Sequence, residues 1–233
     1  MSVPERPAPT VRPARPARSK RPLVLPDDEV GRAAAIEILH AGGIVALPTD
    51  TVYGIAVKLT IPGGIERLFH VKRRQPEKGI ALLLASAEQA TVVGVPNENS
   101  RRLAAAFWPG PLTLILPRRL DAELPEVLTG GAPSVGVRVP DHACPRALAA
   151  ALGPLPTTSA NRSGEPDSRD VVMVIEQLGD RVDLILDGGR TAGAFASTVV
   201  DCTKSAPIVL REGVLGSTRI HQALRASTEP RMP

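Results

Sequence analysis

The chain has 233 residues, 43% hydrophobic, with one Trp, one Tyr and three Phe, so one large domain has to build its core from Val, Ile, Leu and Ala. Its formal charge of +4 is uneven: residues 1–22 alone carry +5, which leaves −1 for the remainder and assigns the basic character to a tail. Cys144 and Cys202 form no CxxC pair, no run reaches ~18 uninterrupted apolar residues, and the N-terminus has no apolar signal core; this argues against a disulfide framework, a cysteine zinc site and a membrane span, and for a reducing cytoplasm.

Residues 1–22, with proline at short intervals, are expected to be disordered. A folded domain is expected over 23–216, followed by a terminal helix and tail over 217–233. Asp27 or Asp28 is placed to cap a helix that runs to Ala41, with Gly42-Gly43 as its stop. The apolar strand Ile44–Leu47 breaks at Pro48 into the polar loop Thr49-Asp50-Thr51, and a second strand is expected over Ile55–Leu59. A helix over Gly64–Val71 ends in the cluster Lys72-Arg73-Arg74. The run Ile80–Leu84 is apolar throughout, the pattern of a central strand covered on both faces.

Helices are expected over Ala87–Val92 and Glu98–Phe107, then strands over Leu112–Leu116 and Val135–Val139 with a loop between them. A helix over Cys144–Leu152 precedes the strand Pro156–Ala160, and a helix over Asp170–Leu178 precedes the strand Leu184–Leu186. Short strands at Thr198–Asp201 and Ile208–Arg211 and a helix over Thr218–Leu224 complete the series. Strands and helices intermingle without strict βαβ alternation, which predicts a single α/β domain with a twisted, mixed β-sheet and flanking helices.

The sequence contains no GxxxxGK[ST] loop, GxGxxG turn, HExxH helix or GxSxG elbow, so a bound nucleotide would need side chains to hold its phosphates. Lys72, Arg73, Arg74 and Lys78 are candidates for that task at a strand mouth. Taken alone, they read equally as a solvated charge run at a helix C-terminus. Ser159 and Asn161, two apart in Thr157-Thr158-Ser159-Ala160-Asn161, share a face in extended chain and can bind one ligand together or simply form a polar turn. Arg138 alternates with Val135, Val137 and Val139 and shares a face with Ser134 and Gly136; it either points to solvent from an edge or pairs with a ligand carboxylate. Ser197, Thr198, Asp201 and Arg211 add polar groups near strand ends. His40, His70, His142 and His221 share no ligand spacing, so no metal site is expected.

In their order along the chain, PTDTVYG (48–54), KxR (Lys72, Arg74), WPGPLTL (108–114), VxVRxP (135–140), SAN-x-SGxP (159–166), STVxD (197–201) and VLREG (209–213) resemble the YrdC-like family, the threonylcarbamoyl-adenylate synthases of tRNA modification. The resemblance implies a twisted sheet around a basic cavity. It implies a nucleotidyltransferase that condenses L-threonine, bicarbonate and ATP into threonylcarbamoyl-AMP plus pyrophosphate, with Mg2+ carried by the ATP phosphates. By position it places threonine contacts on Thr51, Arg138, Ser159 and Ser197, and ATP contacts on Arg74, Lys78, Ser134, Asn161, Ser168 and Arg211. Lys72 and Arg74 become the catalytic pair. Implied partners are the downstream tRNA threonylcarbamoyl transferase proteins, with a weak RNA contact through the basic tail and no membrane. The chain departs from the family pattern where some members carry Asn-Pro-Leu and a histidine: here Lys78-Gly79-Ile80 leads into an apolar run and the histidine's role is vacant. Two other readings remain, an RNA-binding module and a relative that transfers a carbamoyl group from carbamoyl phosphate.

Overall fold

The computed structural model describes residues 21–75, 77–193 and 195–225; the disorder expected of the N-terminal tail therefore falls almost wholly outside the described residues. Strand β1 (Leu23–Pro26) leads into α1 (Glu29–His40). Asp28 caps that helix by accepting from the Gly31 N–H at 2.8 Å, while Asp27 pairs with Arg32 at 2.6 Å. The helix stops where expected. Gly42 takes the left-handed conformation (φ 79°), and the N–H groups of Gly42 and Gly43 return to the carbonyls of Leu39 and Ile38, closing a Schellman motif.

Strands β2 (Val45–Leu47) and β3 (Gly54–Ala56) form an antiparallel pair around the polar loop; β3 is shorter than the Ile55–Leu59 expected, because the chain turns at Lys58, whose carbonyl accepts from Ile61 N–H. Helix α2 (Gly64–Lys72) is followed by β4 (Ala81–Leu83), a 3-10 turn at Ala87–Gln89, α3 (Ala90–Val93) and α4 (Glu98–Phe107). Next come β5 (Leu112–Pro117), α5 (Glu126–Thr129), β6 (Ser134–Arg138), α6 (Ala143–Leu152) and β7 (Leu155–Ser159). The chain continues through α7 (Val171–Leu178), a 3-10 turn at Gly179–Arg181, β8 (Leu184–Asp187), β9 (Thr198–Asp201), β10 (Ile208–Arg211) and α8 (Ser217–Arg225). Two elements went unread in the sequence. β1 is only four residues long and largely exposed, and α5 is a single turn inside a Gly/Pro-rich loop.

All ten strands join one mixed sheet in the order β1-β8-β2-β3-β7-β4-β6-β5-β9-β10, with β4 near the middle as its apolar run predicts. On the β1 side, Val45, Leu47, Leu184 and Leu186 pack with Ala35 and Leu39 of α1 and Leu148 of α6. The larger core takes the alternate residues, among them Ala46, Ile185, Leu82, Leu114, Val135 and Val137. From β3 to β9 the side chains opposite that core do not meet another layer. They line a cavity.

Gly31 sets the fit of α1 against the sheet: a Cβ there would collide with the Pro26 carbonyl oxygen and press on Leu186. In a free helix Gly→Ala gains ~1 kcal/mol. Here the sign is expected to reverse, with Gly31→Ala destabilised by ~1–3 kcal/mol through overpacking, as read from urea unfolding.

Candidate functional site

The cavity measures about 470 Å³ and is built largely by the period-2 alternation of the central strands. Thr113 and Ile115 enter from β5, Ser134, Gly136 and Arg138 from β6, Ala81 and Leu83 from β4, and Thr157 and Ser159 from β7. The rim comes from the Thr49–Tyr53 loop, Arg74, Gly79, the end of α5, Asp167, Ala196, Ser197 and Arg211. The charged side chains in this lining are Arg74, Arg138, Arg211 and Asp167.

Arg138 is 5% exposed on a central strand, which decides between its two sequence readings: it does not point to solvent. Its Nε donates to the Gly110 carbonyl at 3.0 Å, Nη1 to Thr51 Oγ1 at 3.0 Å and Nη2 to Asp50 Oδ1 at 2.6 Å. Burial pulls the guanidinium pKa down, Asp50 pulls it back up, and the charge of Arg211 lowers it. Three of its five donors are thereby fixed, leaving two N–H groups on a side chain of the cavity wall.

Arg211, at the end of β10, donates through Nη2 to the Ser197 carbonyl at 2.8 Å and reaches Ser197 Oγ at 3.4 Å. Ser197 Oγ in turn lies 2.8 Å from Thr113 Oγ1. Arg74 donates to the carbonyls of Lys78 (2.8 Å) and Gly79 (2.9 Å). Burial lowers its pKa first and Arg211 second, so the two guanidiniums feel each other across the cavity without a carboxylate bonded between them. An anion placed there relieves that repulsion.

The basic run separates instead of converging. Arg73 is left-handed (φ 53°), and the N–H groups of Arg73 and Arg74 close a second Schellman motif on His70 and Phe69. This reversal sends successive side chains in different directions. Arg74 reaches the cavity wall, while Arg73 and Lys78 are exposed and Lys72 turns inward, 2% exposed and outside the cavity lining. Lys72 Nζ donates to the carbonyl and hydroxyl oxygens of Ser159 and, at 2.8 Å each, to the carbonyl and Oδ1 of Asn161. Ser159 Oγ donates to Asn161 Oδ1 at 2.6 Å, so these two residues do share a face, as their spacing predicts.

Asn161 completes its set by donating through Nδ2 to the Glu165 carbonyl, and is 7% exposed. Ser168 is fully buried and donates to the Ala160 carbonyl at 2.6 Å. Of the sequence candidates, Thr51, Arg74, Ser134, Arg138, Ser159, Ser197 and Arg211 therefore meet in one cavity, whereas Lys72, Asn161 and Ser168 support its wall from behind and Lys78 lies exposed on the loop that Arg74 clasps. The reading missed Asp167 and Thr129 in the wall; neither sits in a pattern that sets it apart from an ordinary loop or turn residue. Among the described residues no group of His, Cys, Asp and Glu could hold a metal ion, and no helix is long and apolar enough to cross a membrane.

Burial, reinforced by Arg74 and opposed by Asp167, lowers the Lys72 ammonium from 10.5 to about 7. Between those values the unfolded chain holds a proton that the folded protein has released, so stability rises with pH across that window and the burial penalty is fully present below it. Relative to Lys72→Met, the wild type is expected to gain stability from pH 7 to pH 10 in parallel denaturant titrations. A flat difference would show instead that the four oxygens keep the ammonium charged.

The sequence model of the Sua5/YciO/YrdC family, described as "Telomere recombination", matches residues 37–213. Threonylcarbamoyl-AMP synthase of Pyrococcus abyssi is 36% identical over 82% of this chain, which spans 58% of that relative's length. Threonylcarbamoyl-AMP synthase of Marinobacter nauticus is 35% identical over 72% of this chain and 90% of its own. The crystal structure of P. abyssi Sua5 complexed with L-threonine superposes with a TM-score of 0.80 at 34% identity, covering 87% of this chain and 60% of that one. By the extent of the matched region and by the fold, this chain belongs to the Sua5/YciO/YrdC family.

Proposed function

We propose that this protein is a nucleotidyltransferase that forms threonylcarbamoyl-AMP and pyrophosphate from L-threonine, bicarbonate and ATP, for transfer to tRNA by a separate enzyme. The observation that carries the reading is the meeting of Arg74, Arg138 and Arg211 with the hydroxyls of Thr51, Ser134, Ser159 and Ser197 in one cavity of about 470 Å³. Relatives of similar length bear the name of this activity, and a relative has been crystallised with L-threonine.

In this reading the two unassigned N–H groups of Arg138 receive the amino acid carboxylate, and Thr51, Ser159 and Ser197 surround its amine and hydroxyl. The amine attacks the carbon derived from bicarbonate, with loss of water, and gives a carbamate. A carbamate oxygen then attacks the α-phosphorus of ATP, and the bond to pyrophosphate breaks. Neither step needs a strong protein nucleophile; both need the reactants held together and the departing charge stabilised. Arg74 and Arg211 supply that stabilisation, with Ser134 at the nucleotide and Lys78 at the rim. Mg2+ enters on the ATP phosphates, since the cavity lining offers it only the Asp167 carboxylate. Lys72, Asn161 and Ser168 contribute by holding the wall.

Pyrophosphate release by the full chain is expected to require ATP, L-threonine and bicarbonate together, each omission abolishing it; release independent of threonine overturns the proposal. Arg74 donates only to two loop carbonyls, so Arg74→Ala is expected to lose at least ~100-fold in rate with an unchanged melting temperature. Near-normal turnover in the folded variant would remove Arg74 from the reaction.

A further inference from the structure

The hydroxyl of Thr49 is committed in a way that dictates what Thr51 can do. Thr49 Oγ1 donates its single proton to the Val52 carbonyl at 2.7 Å and accepts from the N–H groups of Thr51 (3.1 Å) and Val52 (3.2 Å). It also lies 3.0 Å from Thr51 Oγ1. Having no second proton, Thr49 can only accept in that contact, so the Thr51 hydroxyl must donate to it. Arg138 Nη1 meanwhile donates into Thr51 Oγ1 at 3.0 Å. One lone pair of Thr51 remains, and no proton.

We infer that Thr49 is a positioning residue that fixes the direction of the Thr51 hydroxyl, so that this wall accepts a hydrogen bond from the substrate's hydroxyl or amino group and offers none in return. Other hydroxyls of the lining follow the same rule: Tyr53 donates to the Gly189 carbonyl, Thr129 to Glu126, Thr157 to Leu155 and Ser159 to Asn161 Oδ1. Hydroxyls thus present lone pairs to donor groups, and guanidiniums present donors to anions. The inference rests on the cavity being the amino acid site proposed above, and it names the residue that sets donor selectivity there.

The test is pyrophosphate release by the full chain with L-threonine and with L-valine, its near-isostere without the hydroxyl. Thr49→Val keeps the side-chain shape and frees the Thr51 rotor. It is expected to raise the KM for L-threonine about tenfold, to narrow the preference for threonine over valine, and to leave the KM for ATP unchanged. Thr49→Ser is expected to restore all three values. If Thr49→Val melts early, Thr49→Cys, a weaker acceptor of similar reach, is expected to give the same threonine-specific shift. An unchanged KM for threonine, an equal loss for threonine and ATP, or no rescue by serine overturns the inference while leaving the proposed reaction intact. A wild type that releases pyrophosphate without threonine overturns both.

Discussion

A guanidinium 5% exposed inside a sheet is the constraint from which the site follows. Left unmatched, such a charge costs on the order of 3–5 kcal/mol, so the chain near Arg138 is obliged to bring acceptors to it. They come from two distant places: Asp50 and Thr51 in the loop after β2, and Gly110 in the turn before β5. The match is one-armed, because Asp50 Oδ2 is buried without a hydrogen-bond partner while Oδ1 carries the contact. Folding the sheet and assembling the cavity are consequently one event. The loop that opens the site is held by the same ion pair that makes β6 tolerable at the centre of the protein.

Much of this was legible in the sequence, and the reasons are local. Alternation in Ser134-Val135-Gly136-Val137-Arg138 assigns three residues to the cavity and two to the core, because successive strand side chains point to opposite faces. Caps and stops such as Asp28 and Gly42 are readable because each satisfies backbone groups within a few residues. The order of motifs then identified the family. The failures are those of distance and direction. Four cations in a row at 72–78 suggest a cluster, yet a left-handed Arg73 disperses them, and the guanidiniums that do gather, Arg74, Arg138 and Arg211, come from positions far apart in sequence. Nothing local tells which side of a helix end a lysine will enter.

Lys72 illustrates the difference between being essential and being in contact with a ligand. Its ammonium ties the end of β7 to the following turn through four oxygens of Ser159 and Asn161, and Ser168 fastens the next stretch to Ala160. The side chains that look most chemical in the sequence thus act partly as framework. They fix Ser159 where it can face the cavity, and the dry surroundings that make the lysine costly also make its hydrogen bonds strong.

The sheet uses the same strands for core and cavity, one residue facing each way in turn. A substitution at Thr113, Ser134 or Thr157 therefore alters the chemistry of the binding face while the packed face of the strand keeps its apolar partners. Such a scaffold separates heritable change in ligand preference from change in stability. New specificities can accumulate at alternate positions of β5, β6 and β7 without each one first having to survive a loss of fold. Arg138 is the exception, since its burial ties both faces together; descent within this fold is expected to vary freely around that residue and to stop at it.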